Sequence, residues 1–239
     1  MDIQTQLSKL RLHGMSQSYQ ALCETRKQHE LTFDEGLELL VQSEEEERNN
    51  RRFERLQRNA RFRYQASIDE LKIEAARGLD KSVLTTLAKG DYLEKGESIL
   101  ITGATGCGKS YLVSALGNKA CALGYKVAYY NLQKLNLKLK MSRAEGTTMQ
   151  FLDRTSKLDL LILDDFGLTH LEQQQRLDLL EIIEDRHGKS STIIASQLPV
   201  ANWYEIIGEE TIADAILDRL VHTSYRIELK GESMRRKKR

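Results

Sequence analysis

The sequence predicts an α/β protein, a P-loop nucleoside triphosphatase fold with a five-stranded, mostly parallel sheet flanked by helices and a small all-helical domain in front. Three observations predict it. From Ser98 onward, short apolar runs alternate with longer helical patterns. A glycine-rich stretch, Gly103–Ser110, sits between the first apolar run and a helical pattern. The first sixty-odd residues hold no proline and few β-branched runs, with apolar residues such as Ile3, Leu7 and Leu10 at helical spacing.

In chain order, Thr32-Phe33-Asp34-Glu35 has the form of a capping box. It predicts the start of a helix that runs through an acidic stretch, Glu44–Glu47, and then a basic one, Arg48–Arg63. A composition shift near Gln65–Asp80 marks a connector. The expected division is a helical domain over 1–66, contacting DNA or a partner, and a nucleotide domain over 67–239 with a basic C-terminal tail.

Five strands are expected at Ile99-Leu100-Ile101, Val127-Ala128-Tyr129-Tyr130, Leu160-Leu161-Ile162-Leu163, Thr192-Ile193-Ile194-Ala195 and Tyr225-Arg226-Ile227-Glu228-Leu229. Runs this continuously apolar fit a parallel sheet covered on both faces. Ligands of such sheets sit beyond the C-terminal strand ends, and the residues suited to chemistry fall there.

Composition narrows the class. The chain has 239 residues, 30% of them charged, and a formal net charge of +1. No apolar run approaches the roughly 20 residues that span a bilayer, so no membrane association is expected. Met1-Asp2-Ile3-Gln4 lacks the pattern of a signal peptide. Cys23, Cys107 and Cys121 form no ligand-like cluster and suggest neither disulfides nor zinc. The expected location is cytoplasmic. Charge is spread unevenly, and the run Arg235-Arg236-Lys237-Lys238-Arg239 permits an anionic partner.

Gly103-Ala104-Thr105-Gly106-Cys107-Gly108-Lys109-Ser110 matches G-x-x-x-x-G-K-[ST] in full, after a strand and at the start of a helix. Glycines let successive N–H groups turn inward around phosphate oxygens. The helix adds its positive N-terminal end. Lys109 is expected on the β- and γ-phosphates and the Ser110 hydroxyl on magnesium, with Tyr111 closing the nucleotide-binding stretch. The expected cofactors are ATP and Mg2+.

The second half of the site is Leu160-Leu161-Ile162-Leu163-Asp164-Asp165, a buried strand delivering two carboxylates. Asp164 is expected to hold magnesium, and Asp165 to orient or deprotonate the attacking water. Asp165-Phe166-Gly167 also spells the kinase magnesium tripeptide, but the kinase catalytic-loop signature is absent and the phosphate loop is of another type. After the next strand, Gln197 in Ser196-Gln197-Leu198-Pro199 is the candidate to bond the γ-phosphate or the water, against the alternative of a plain strand-ending turn. Arg219, beside Asp218, is an arginine-finger candidate on a helix before the last strand. Its local sequence by itself favours a surface arginine.

These residues, in this order, resemble the AAA+ ATPases of the IstB and DnaC group, as do Arg77-Gly78-Leu79-Asp80 and Leu87-Ala88-Lys89-Gly90-Asp91-Tyr92. The resemblance covers nearly the whole chain and favours the IstB-like branch. It implies ATP bound between adjacent subunits, a homo-oligomeric ring or helical filament, and work on duplex DNA with a transposase as partner. The DnaC-like alternative is a helicase loader. It also implies that Leu132–Gly146 faces DNA, through Lys134, Lys138, Lys140 and Arg143. Two departures stand out: aspartate at 165 where many AAA+ proteins have glutamate, which implies slow hydrolysis, and glutamine at 197 where asparagine is common. The chain leaves no room after the fifth strand for a helical lid, so Arg219 from a neighbouring subunit is the cation implied at the γ-phosphate.

On a helix, Arg48, Arg51, Arg52, Arg55 and Arg58 share one broad face. Glu44–Arg48, Glu47–Arg51 and Glu54–Arg58 are i,i+4 pairs that support a solvated helix instead. Arg52 and Arg55 have no acid at that spacing and are the DNA candidates there. No zinc finger, winged helix or helix-turn-helix pattern appears, so any contact is to the phosphate backbone. Two other classes stay open: a P-loop small-molecule kinase, for which no lid segment is evident, and a nucleotide-gated DNA scaffold that rarely hydrolyses.

Overall fold

The computed structural model describes residues 2–71, 77–222, 224–231 and 233. Part of the expected connector and the basic run Arg235–Arg239 lie outside them. The chain divides into two compact units, Met1–Arg55 and Leu56–Arg239.

The first unit is helical: α1 (Ile3–Lys9), α2 (His13–Thr25) and the greater part of α3 (Phe33–Ala60). The capping box forms as its residues require. Thr32 N donates to Glu35 Oε2 at 2.8 Å, and Glu35 N donates to Thr32 Oγ1 at 3.3 Å. Gly14 lets α2 meet α3 backbone to backbone, because a Cβ there would fall 2.2 Å from the carbonyl oxygen of Ser43. Glu44, buried at this contact, accepts from the free N–H groups of Gly14 and Met15 at 2.8 and 3.3 Å. Arg48 donates to the same carboxylate at 2.7 Å, and Arg51 pairs with Glu47 at 3.1 Å.

The second unit carries α4 (Lys81–Lys89) and α5 (Asp91–Lys95), then five strands. These are β1 (Ser98–Gly103), β2 (Val127–Asn131), β3 (Leu160–Phe166), β4 (Ser191–Ser196) and β5 (Ser224–Leu229). All pairings are parallel, in the order β2-β3-β4-β1-β5. The connections are α6 (Lys109–Ala122), α7 (Leu132–Ala144) with α8 (Thr148–Ser156), α9 (Gln173–Arg186), and α10 (Trp203–Ile207) with α11 (Glu210–Val221). All five strands expected from the apolar runs form.

Strand order positions the site. Because β4 lies between β1 and β3, the phosphate loop, the Ser196-Gln197 turn and the aspartate pair emerge from three neighbouring strand ends. Beneath them Leu100, Leu161, Leu163 and Ile194 pack with Phe166 and Trp203 in one apolar core. Arg186, 1% exposed, donates to the carbonyls of Thr155, Leu158 and Ser191 and to Thr192 Oγ1. It ties the end of α9 to the end of α8 and the start of β4. No helix among the described residues is long and apolar enough to cross a membrane.

Candidate nucleotide site

The loop after β1 has the backbone that its glycines predict. Gly103, Gly106 and Gly108 have φ of 146, 85 and 106°, which side-chain-bearing residues rarely adopt. Two of them also lack room for a side chain. A Cβ on Gly103 would sit 2.2 Å from Leu229 O, and one on Gly106 2.2 Å from Ser233 Oγ. Lys109 opens α6, and its ammonium folds back to donate to the carbonyls of Gly103 and Ala104 at 2.7 and 2.9 Å. The buried Cys107 places its sulfur 3.9 Å from that ammonium. Ala104 and Thr105 are exposed at the loop's tip, and Ser110 and Tyr111 follow in the first turn of α6. The Tyr111 hydroxyl donates to Glu70 Oε2 at 2.7 Å.

The aspartate pair occupies a bulge. Leu163 pairs with Ile194 and Phe166 with Ser196, so Asp164 and Asp165 together face one residue, Ala195. Asp165 takes φ 59°, the left-handed region, an uncommon conformation that persists only where surroundings enforce it. Asp164 is fully buried, its carboxylate accepting from the Tyr129 hydroxyl and from Asp165 N. Asp165 accepts from Asn131 Nδ2 at 2.8 Å and from Arg63 Nη1 at 3.2 Å, and the same guanidinium lies 3.8 Å from Asp164. Burial, and then the bond to Asp164, push the Tyr129 phenol far above its ordinary range, so it stays a donor to the carboxylate at neutral pH.

Gln197 stands between the two halves. Ser196 Oγ donates to Phe166 O at 2.8 Å and accepts from Leu198 N at 3.0 Å, and Trp203 Nε1 donates to Leu198 O at 3.1 Å. These bonds fix the turn, and Thr105 Oγ1 then reaches Gln197 Oε1 at 2.6 Å.

The oxygen-only donors suit magnesium, which keeps several waters and takes one or two carboxylates together with substrate phosphates. Among the described residues no three His, Cys, Asp or Glu side chains gather as a self-sufficient metal cage. Asp164, buried beside a guanidinium, is a carboxylate that calls for a cation. The residues present therefore fit Mg2+, with Asp164 and Ser110 to hold it.

The remaining candidates are dispersed. Arg219 Nη2 pairs with Glu184 Oε1 at 3.0 Å and Nη1 donates to Ala215 O at 2.9 Å. On α7, Leu132, Leu135 and Leu139 face inward. Lys134 and Lys138 line a groove of about 1390 Å³ along the outer edge of β2, and Lys140 is exposed elsewhere. Arg143 is paired with the buried Asp178 at 2.5 Å. Arg52 and Arg55 are exposed on α3, in the first unit.

Three residues in contact with the aspartate pair escaped the sequence reading: Arg63, Tyr129 and Asn131. Asn131 carried a usable signal, since an asparagine between an apolar strand and a leucine-spaced helix is an N-cap pattern. Its side chain does cap α7, accepting from Gln133 N and Lys134 N at 3.1 and 3.3 Å. Arg63 carried none, because its role depends on a contact 102 residues away.

The family described as IstB-like ATP binding protein matches residues 5–239. An insertion sequence ATP-binding protein of Sinorhizobium fredii is 42% identical over 233 residues, covering 98% of this chain and 95% of the relative. The IS21 ATP-binding protein of Pseudomonas aeruginosa is 30% identical over 238 residues, 100% of this chain and 90% of the relative. Among solved structures, the DnaC helicase loader superposes with TM-score 0.58 at 22% identity, over 70% of this chain and 98% of that one. At that identity the likeness speaks for the fold.

Proposed function

Because this chain belongs to the family of IstB-like ATP-binding proteins, we propose that it hydrolyses ATP and assists a transposase by assembling on duplex DNA during insertion-sequence transposition. ATP binding follows from the family. The observation that carries hydrolysis is the aspartate pair, one carboxylate fully buried and the other on a bulge, with a single strand between it and the phosphate loop.

In this reading the backbone N–H groups of Gly103–Gly108 surround the phosphates. Lys109 exchanges the carbonyls of Gly103 and Ala104 for β- and γ-phosphate oxygens. Ser110 and Asp164 would hold magnesium, which would supply positive charge to offset that of the phosphates. Asp165 orients the water and Gln197 bonds it or the γ-phosphate. Arg219 leaves Glu184 to act on the nucleotide of a neighbouring subunit. That role requires a homo-oligomer with head-to-tail contacts, closing as a ring or continuing as a filament.

Lys134, Lys138 and Lys140 supply phosphate-backbone contacts on α7, with Arg52 and Arg55 on the helical part over 1–66. Arg143 joins them only by giving up Asp178. Such binding falls steeply with salt. The protein acts in the cytoplasm, where its DNA is.

A second reading, a nucleotide-gated scaffold that rarely hydrolyses, draws support from the bonds that Asn131 and Arg63 make to Asp165. ATP hydrolysis and duplex-DNA binding, measured together for the wild type and Lys109→Ala across a salt series, test the proposal. It predicts hydrolysis stimulated by DNA, and ATP-dependent DNA binding that Lys109→Ala abolishes. Hydrolysis indifferent to DNA, with no ATP-dependent binding at low salt, would leave only the nucleotide site standing.

A further inference from the structure

Arg63 touches two things at once. Its guanidinium lies 3.2 Å from Asp165 and 3.8 Å from Asp164, and it also lines the groove along the β2 edge. Seven lysines and arginines line that groove, Arg63 included, against a single carboxylate, Asp165. Among the described residues no ion pair joins Arg58, Arg61, Lys126, Lys138 or Arg154 to an acid. Burial, and then the neighbouring Arg61, lower the Lys138 pKa, as expected where cations face one another without counter-charge. The groove thus has the charge of a nucleic-acid backbone site, with Tyr130 and Phe151 on its wall.

The segment carrying Arg63 is pinned on either side. Phe62 lies against Gly117 of α6, where a Cβ would fall 2.5 Å from its ring. Gln57 Nε2 donates to Asn118 Oδ1 at 2.9 Å, and Asn118 Nδ2 donates to Ala66 O at 3.0 Å. The backbone is held while the Arg63 side chain stays 40% exposed. A long flexible side chain on a fixed stem can change partner without unfolding anything.

We propose that Arg63 is a displaceable counter-cation: a divalent cation on the Asp164–Asp165 pair releases its guanidinium into the β2-edge groove, where it contacts the DNA phosphate backbone. This rests on the reading of Asp164 as a magnesium ligand. Like charges cannot share the pair at close range, so Arg63 and the metal compete for it. DNA in the groove draws Arg63 away and eases metal binding. By linkage, metal-nucleotide binding strengthens DNA binding by the same factor.

The test is binding of a fluorescent, non-hydrolysable ATP analogue to the full chain as Mg2+ is titrated, with and without a short duplex DNA. In the wild type, DNA should lower the half-saturating Mg2+ concentration by about five-fold or more, the low end of ordinary coupling. Arg63→Gln should need less Mg2+ without DNA, and DNA should then shift it little. Arg63→Lys, which keeps the charge, should restore the shift in part. If Arg63→Gln needs as much Mg2+ as the wild type, or DNA shifts both equally, the proposal is overturned while the proposed function stands. If analogue binding ignores Mg2+ in every protein, the magnesium reading of Asp164 falls and takes the proposal with it. A duplex that binds none of the proteins overturns the DNA-acting function as well.

Discussion

Asn131 holds Asp165 and α7 with one side chain: its Nδ2 donates to the Asp165 carboxylate at 2.8 Å while its Oδ1 accepts from the first N–H groups of α7. The helix bearing Lys134 and Lys138 is thereby joined to the proposed water-orienting group. Asn131→Ser separates the two bonds, since serine caps helices about as well but is too short to keep both partners. The melting temperature should stay within about 3 °C, because a cap difference under roughly 1 kcal/mol moves a domain of this size little. Basal hydrolysis should rise and its dependence on DNA should weaken. An unchanged ratio of DNA-stimulated to basal rate would make Asn131 a cap and nothing more.

Asp165→Asn tests the hydrolytic role with little disturbance to the backbone. Asparagine is among the residues that best tolerate the left-handed region, where Asp165 sits at φ 59°. Thermal unfolding should therefore match the wild type closely, and nucleotide binding should survive. Hydrolysis should fall by roughly 10²-fold or more, the lower range for a positioned general base. Turnover near the wild-type rate would favour the scaffold reading.

What the sequence disclosed and what it withheld divide along the range of the interactions. The five strands and the phosphate loop were legible because each depends on local pattern: continuous apolar runs, and glycines at fixed offsets before Lys109. Asp164 was legible as the polar end of such a run. The bulge that aims Asp165 was not, since it is a register shift against β4 and appears only when the strands pair. Arg143 shows the converse. By sequence it belongs with the α7 cations, yet α9 brings the buried Asp178 against it.

Arg186 should be the most sensitive polar position outside the site. Its buried guanidinium meets three carbonyls and a hydroxyl, with no carboxylate in that set. Burial lowers its pKa to about 10, against the opposing pull of the Asp159 charge, a sign that desolvation disfavours the charged form. Arg186→Leu would leave those acceptors unpaired, at a cost of about 3 kcal/mol or more. The midpoint of thermal unfolding should drop by roughly 6–12 °C. A loss under 2 °C would mean that water replaces the guanidinium freely.

Cys121 offers a check on the α6 packing. Burial pushes its thiol up to about 12, so a thiol reagent at pH 8 should leave it unmodified in the native protein and reach it on unfolding. The half-exposed Cys23 should react first. The sign of the linkage follows: a folded-state pKa raised above the unfolded value of 9 contributes stability that is complete below pH 9 and is lost as pH rises toward 12. Cys121→Ala should flatten that part of the stability profile. Rapid native labelling of Cys121 would contradict the packing.

Arg219 is bonded to Glu184 within its own chain, whereas the proposed finger acts across a subunit contact. Complementation distinguishes these roles. Alone, Arg219→Ala keeps its phosphate loop but presents no arginine to its neighbour, and Lys109→Ala keeps the arginine but lacks the loop lysine. Each should hydrolyse ATP at under about a hundredth of the wild-type rate, consistent with the 10³–10⁵-fold worth of such arginines. Mixed on DNA, they would form some contacts in which an intact loop faces an intact Arg219. Activity should reappear and peak near equal proportions. Glu184→Ala, which frees the arginine without removing it, should hydrolyse at least as fast as the wild type. If the mixture stays as inactive as its components, Arg219 acts within its own subunit through Glu184, and the case for nucleotide shared between subunits loses its proposed cation.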